Sequence, residues 1–218
     1  MPCEFDHVFI CVSRGGEEAR ELAAFGLIEG PANKHQGQGT ACRRFFFANA
    51  YLELLWVSNA AEAQTEQTRP TYLWERWTDR GNGSCPIGFG FRPKAQGDLS
   101  APFRSWGYRP GYLPAPLSLH VATNASMLTE PMLFYLPFLR LGPRQPLQPQ
   151  GAGLHEVTRV GLASPHLGAL SPEMTAVRDA GLVQFHAGPE YLVELGFDGE
   201  TKNQQADFRP SLPLVFRW

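Results

Sequence analysis

The stretch Ala50-Tyr51-Leu52-Glu53-Leu54-Leu55-Trp56-Val57 decides how this chain is read. It is apolar and strand-forming apart from one carboxylate. Side chains alternate between the two faces of a strand. Leu52, Leu54 and Trp56 therefore share one face, and Tyr51, Glu53, Leu55 and Val57 share the other. A carboxylate in such a strand costs free energy unless it is wet or paired. Glu53 is thus expected to face a wet cavity, or to meet a cation, a metal or a hydrogen-bond donor.

Working outward, Asp6-His7-Val8-Phe9-Ile10-Cys11-Val12 reads as another strand, with Val8, Ile10 and Val12 on one face and His7, Phe9 and Cys11 on the other. A short helix is expected over Glu17 to Phe25, stopped by Gly26. A short strand over Leu27 to Glu29 leads into a polar loop, Gly30 to Gly39. Thr40 to Ala48 is strand-like. Further along, Cys85 to Phe91 reads as a strand with Ile87, Phe89 and Phe91 on one face. Glycines 88 and 90 leave its other face bare for close approach of another group. A loop-like segment containing Trp106, Tyr108 and Tyr112 precedes strand candidates at Leu117–Ala122 and Met132–Leu139. Pro-, Gly- and Gln-rich sequence over Gly142 to Gly153 reads as a linker. Strands at Val157–Leu162, Leu182–His186 and Tyr191–Phe197 follow, with a helix over Pro172 to Asp179.

Composition narrows the function classes. The chain has 218 residues, a formal net charge of −2 and a pI near 6.3, which gives no reason to expect nucleic acid or an anionic membrane as partner. No apolar run reaches the roughly 20 residues that span a bilayer, and the N-terminal segment lacks the basic-then-apolar pattern of a signal peptide. A cytoplasmic protein is expected. Four cysteines, Cys3, Cys11, Cys42 and Cys85, are not at CxxC spacing, so a zinc knuckle is not indicated. Gly37-Gln38-Gly39 has no Lys-Ser or Lys-Thr after it, and a dinucleotide fingerprint is absent, so no nucleotide cofactor is expected.

The segments repeat. The His7 strand precedes the Glu53 strand much as the Ile87 strand precedes the Phe134 strand. A shorter copy runs from Val157 to Tyr191-Leu192-Val193-Glu194-Leu195. The opening Asp-His-Val strand, the helix, the Gly-x-Gly-Thr loop (Gly37 to Thr40) and the Tyr-Leu-Glu-Leu strand resemble the vicinal oxygen chelate superfamily. More narrowly, they resemble its glyoxalase/bleomycin resistance protein/dioxygenase branch. The resemblance covers residues 5–57, weakens through 85–140 and returns at Gly153 to Pro165.

That resemblance implies an α+β fold. Paired βαβββ modules form a cupped, barrel-like mixed sheet with helices outside. Residues 1–58 would be module one, 59–84 a connection, 85–140 module two, 141–152 a linker and 153–218 a partial third module. It also implies a divalent metal (Zn, Fe, Ni or Mn) in the cup, with His7 and Glu53 at the ligand positions. Both residue types suit such an ion. By the repeat, His7 corresponds to Ile87 in the middle copy and about Arg159 in the last. Glu53 corresponds to Leu133 or Phe134, and then to Glu194. The middle copy therefore offers no second pair of ligands. His120 is the candidate third ligand if it faces the cup.

Bland readings stand beside these. Glu53 could be an ion pair with Arg43 or Arg44. His35 in the glycine-rich loop reads as solvated, and Trp74 and Trp77 as a helix packing on the barrel. Trp56, Phe89, Arg43, Arg44, Arg92 and His120 are the candidate substrate contacts, the arginines as partners of a substrate carboxylate or oxyanion. The leading function is a lyase, isomerase or dioxygenase acting on a small oxygenated molecule, with His7 and Glu53 catalytic. A metal-free small-molecule binder of the same fold is the alternative. Open sheet edges admit pairing into a homodimer.

Overall fold

A computed structural model describes residues 3–94, 100–139 and 152–218. Two sheets carry it. The first has eight strands: β1 (Cys3–Cys11), β2 (Asn33–His35), β3 (Thr40–Phe46), β4 (Tyr51–Val57), β5 (Ile87–Pro93), β6 (Ser105–Tyr108), β7 (Leu119–Ala122) and β8 (Met132–Tyr135), in the spatial order β2-β3-β4-β1-β5-β8-β7-β6. The second has five: β9 (Val157–Ser164), β10 (Gln184–Ala187), β11 (Leu192–Phe197), β12 (Gln205–Asp207) and β13 (Leu214–Arg217), in the order β10-β9-β11-β13-β12. Helices are short: α1 (Ala19–Ala24), α2 (Ala60–Ala63), α3 (Leu73–Thr78) and α4 (Pro172–Asp179).

The first sheet is two copies of one pairing scheme. In one half β1 pairs parallel with β4, which pairs antiparallel with β3, which pairs antiparallel with β2. In the other, β5 pairs parallel with β8, then β7, then β6, with the same senses. β1 and β5 join the halves antiparallel. His35 on β2 and Tyr108 on β6, at opposite ends of the strand order, line one cavity. The sheet is therefore curled into a half-barrel, as expected of a βαβββ pair.

Alternation assigns the two faces. Val8, Ile10, Leu52, Leu54, Ile87, Phe89 and Phe91 point back into a core shared with Leu162, Val193, Phe197 and Phe216 of the second sheet and with Leu22 of α1 and Val177 of α4. Each large apolar side chain buried there contributes about 1.5–3 kcal/mol. Phe9, Cys42, Leu55, Tyr108, Leu119, Val121, Met132 and Phe134 point forward, into the cup. Leu73 of α3 packs onto this cluster. Trp77 fastens α3 by donating from Nε1 to the Val12 carbonyl at 2.8 Å.

Some local expectations change. Leu27 to Glu29 forms no strand beyond a single bridge from Glu29 to Phe45. The polar loop instead contains β2, and the loop around Trp106 contains β6. The linker read at Gly142 to Gly153 lies outside the described residues up to 151. Glu194 and Arg159, the last copy's counterparts of Glu53 and His7, form an ion pair at 3.1 Å.

Candidate functional site

Three side chains of the first half converge on the floor of the cup. His7 Nε2 lies 3.5 Å from Glu53 Oε2, and His35 Nε2 lies 3.9 Å from Glu53 Oε1. Glu53 and His7 are almost fully buried. Their meeting follows from strand geometry. β1 and β4 run parallel with Phe9 opposite Glu53 and His7 opposite Tyr51, so His7 and Glu53 share a face on neighbouring strands. His35 arrives from the β2–β3 hairpin, where it pairs with Thr40.

That hairpin is clamped from outside. The Gly37 N–H donates to Glu62 Oε2 at 2.6 Å, and Thr68 Oγ1 donates to the Gly37 carbonyl at 3.3 Å. Gly39 has φ +78°, and a Cβ there would sit 2.3 Å from the Asn59 carbonyl oxygen, so only glycine fits. The connection after β4 thus holds the segment that delivers His35.

Each imidazole is anchored through its other nitrogen. His7 Nδ1 is 2.6 Å from Asp6 Oδ2, and His35 Nδ1 is 2.9 Å from Thr40 Oγ1, which also accepts from Gln38 Nε2 at 2.8 Å. The His7 ring lies between Tyr51, stacked at 4.2 Å, and the Phe134 ring, edge-on at 5.1 Å. Burial holds His35 below the ordinary imidazole range; the Glu53 carboxylate opposes this, while Arg44 and His7 add to it. His35 is thereby kept in the neutral form that ligates metals.

Glu53 Oε1 is buried and has no hydrogen-bond partner. Such an orphaned acceptor costs about 1–3 kcal/mol, and more for a charged group. Ligand atoms of His35, Cys42 and Glu53 all lie within 4.8 Å of one another. The Cys42 thiol is pushed up, first by burial and then by the Glu53 carboxylate. His35 approaches the uncompensated Oε1 and His7 the other carboxylate oxygen, and imidazole, carboxylate and thiol together make a donor set that fits a divalent transition metal.

The cup encloses about 170 Å³. Phe9, Tyr51, Leu55, Leu119, Met132 and Phe134 form much of its wall, and Tyr108, Tyr112, Gln38 and Asn33 bring polar atoms. Burial and the Glu53 carboxylate raise the Tyr112 hydroxyl, which stays protonated as a donor. A larger open groove of about 870 Å³ lies elsewhere, over Ser84, Tyr191 and Arg209. Its charged side chains are already engaged, Arg209 by Asp207 and Glu190, Glu18 by Ser13 and Arg80 by the Trp77 carbonyl, so the cup is the better candidate.

The other candidates read from the sequence fall elsewhere. Phe89 faces the rear core with no exposure, and Trp56 packs against the same core, so neither lines the cup. His120 also points away: its ladder neighbour Tyr135 belongs to the rear core, while Val121 and Phe134 face the cup. Arg43 is bound to Glu29 and to the Gly16 carbonyl. Arg44 stands opposite Glu53 in the ladder but donates to the Pro31 carbonyl at 2.9 Å, with its guanidinium over Phe46. Among the described residues, neither arginine forms an ion pair with Glu53. Arg92 does not line the cup and is held by Glu4, 2.8 Å away.

The match of His7 to Ile87 is off by one residue. Gly88 and Gly90 occupy the cup face, and a Cβ on either would strike the Phe9 or His7 ring. Phe9 pairs with Glu53 as Gly90 pairs with Phe134, so the counterpart of His7 is Gly88. Asp6, His35 and Cys42 are the site residues that sequence reading passes over. The signals are present in the chain: an acid next to the strand histidine, and a histidine just before a Gly-x-Gly-Thr turn.

A sequence model of the glyoxalase-like domain matches residues 5–128, more than half of the chain. The chain belongs to the glyoxalase-like domain family. It is thereby a member of the vicinal oxygen chelate superfamily, and the curled α+β sheet is the fold of that superfamily. This glyoxalase-like protein is also similar to a hypothetical protein from Staphylococcus aureus, with 10% identity over 100% of this chain and 99% of the other and a TM-score of 0.52, a likeness of fold alone. A methylmalonyl-CoA epimerase in complex with methylmalonyl-CoA is 12% identical, covering 65% of this chain and 100% of its own, with a TM-score of 0.41. A mutant 4-hydroxymandelate synthase from Streptomyces coelicolor is 9% identical over 99% of this chain and 62% of its own, with a TM-score of 0.45. No curated protein matches the sequence. No helix among the described residues is long and apolar enough to cross a membrane.

Proposed function

We propose that the cup is the reaction site of a metal-assisted enzyme acting on a small, ring-sized oxygenated molecule. The observation that carries this reading is Glu53: a buried carboxylate with one orphaned oxygen, approached by two imidazoles rather than by an arginine. His7, His35 and Glu53 would hold the ion, and Cys42 is the further side chain within reach. A divalent ion there supplies Lewis acidity, stabilising negative charge on a substrate oxygen. The protein's own part is to bind and orient. The aromatic and aliphatic walls exclude water, and the Tyr112 hydroxyl and Gln38 amide offer hydrogen bonds to a second oxygen.

The lining also bears on substrate charge. No Lys or Arg lines the cup among the described residues. Desolvating a substrate carboxylate there would go uncompensated by the walls. A neutral ketone, hydroxyketone or phenol fits this chemistry.

Elemental analysis of the purified protein tests the reading. The expected result is about one Zn, Fe, Ni or Mn per chain, lost in Glu53→Gln and reduced in His35→Ala, with both variants folded. A parent protein that takes up none of these ions when they are added, yet shows thermal stabilisation by neutral ring compounds, would replace the enzyme with a metal-free binder.

A further inference from the structure

Neighbouring residues in a regular strand point to opposite faces, so Asp6 and His7 should not touch side by side. They do. The ladder between β1 and β5 steps from Phe5 opposite Phe91 to His7 opposite Gly90, so Asp6 is an extra residue in β1, a bulge. The bulge swings the Asp6 carboxylate beside the His7 ring, at 2.6 Å from Nδ1, where it is fully buried. Its other oxygen lies 3.7 Å from Arg92 Nη1. Arg92 is in turn held by Glu4 at 2.8 Å and by the Asn49 carbonyl at 3.3 Å. Gly90 completes the arrangement, because a Cβ there would lie 2.8 Å from His7 Cε1 and 2.9 Å from Nδ1.

We propose that Asp6, seated by the bulge and backed by Arg92, is a positioning residue that fixes His7 with its proton on Nδ1 and its Nε2 lone pair aimed at Glu53. An ionised carboxylate only accepts hydrogen bonds, so the shared proton belongs to the ring nitrogen. In the neutral ring Nε2 is then an acceptor facing a second acceptor, Glu53 Oε2, 3.5 Å away. Two lone pairs so placed bind a cation between them better than they tolerate each other. Carboxylate partners of ligating histidines act in this way, fixing the tautomer and raising ligand basicity. Arg92 thereby gains a role behind the site rather than as a substrate contact.

The inference rests on the metal reading for its consequence but not for its geometry, and the experiment separates the two. Zinc affinity is measured by competition with a chromophoric chelator for the parent, Asp6→Asn and Asp6→Ala. In parallel, the ring nitrogens of His7 in the zinc-free protein are read by ¹⁵N NMR at alkaline pH, where imidazoles are neutral. The expected results are a fall in zinc affinity of about 10- to 100-fold in both variants, and a parent tautomer protonated on Nδ1 that moves to Nε2 in Asp6→Ala. A parent that binds no zinc but shows the same tautomer and the same switch would sink the metal reading and support the positioning role. Folded variants with parental zinc affinity and an unchanged tautomer would overturn the role. If neither variant folds, the parent spectrum decides alone: a proton on Nε2 of His7 overturns it.

Discussion

The two halves of the first sheet share one topology and differ in what they place on its concave face. The first half sets His7, His35 and Glu53 there; the second sets Gly88, Gly90, Met132, Tyr108 and Phe134. On the convex face both halves are alike, with Val8 and Leu52 answered by Phe89 and Leu133 in one core. The convex face is therefore where the repeat is structural, and the concave face is where it has divided its labour. The second half supplies a wall for the polar cluster of the first: Phe134 meets the His7 ring, and Gly90 leaves room for it. The last copy shows a third outcome. Its acid, Glu194, is neutralised by Arg159, a satisfied ion pair of the kind Glu53 lacks.

The largest expected effect tests the shared face. Phe89→Ala, in the half without candidate metal ligands, should cost about 3–5 kcal/mol of stability in a denaturant titration, as a cavity in a closed core does. A small cost would mean that the convex face is not common ground between the halves. Glu53→Leu tests the divided face by giving the first half an apolar residue like those of the second. Metal affinity should fall by more than the roughly 10- to 100-fold of an outer-shell change. The metal-free variant should be no less stable than the parent, because an orphaned buried acceptor has been removed. Parental metal content in this variant would show that the asymmetry between halves has nothing to do with a metal.

Gly90→Ala probes the contact between halves. Its Cβ would meet both the His7 ring and, at 2.9 Å, the Phe134 ring, so the overpacking should cost about 1–3 kcal/mol by chemical denaturation. Gly107→Ala, on β6 with open space around the new carbon, serves as the comparison and should change stability by no more than about 0.5 kcal/mol.

Much of this division is legible in the chain. The apolar alternation of β1, β4 and β5 is strong, so the shared face of His7 and Glu53, and the bare face at Gly88 and Gly90, follow from parity. That same parity puts Phe89 and Trp56 at the rear, against their reading as cup residues. What cannot be read has a physical cause in each case. Asn33-Lys34-His35 is a polar edge strand held by a hairpin and an outside clamp, with no apolar alternation to mark it. The bulge at Asp6 is a slip of one residue in pairing with β5, a strand far away in sequence, and nothing local to β1 encodes it.

The smallest expected effect concerns two histidines that the sequence ranks in the opposite order. From the sequence, His120 is the candidate third ligand and His35 the solvated residue. In the fold, His120 lies on β7 of the second half, on the convex side beside Tyr135, where alternation keeps it from the cup. His35 reaches Glu53 from the first half's edge. His120→Ala should therefore leave metal content unchanged and shift stability by no more than about 0.5 kcal/mol, as substitutions of partly exposed residues outside a core or buried network do. His35→Ala should lower metal content in the same assay. The reverse outcome would place a ligand in the second half, and the cup floor would then have to be built by both halves rather than by one.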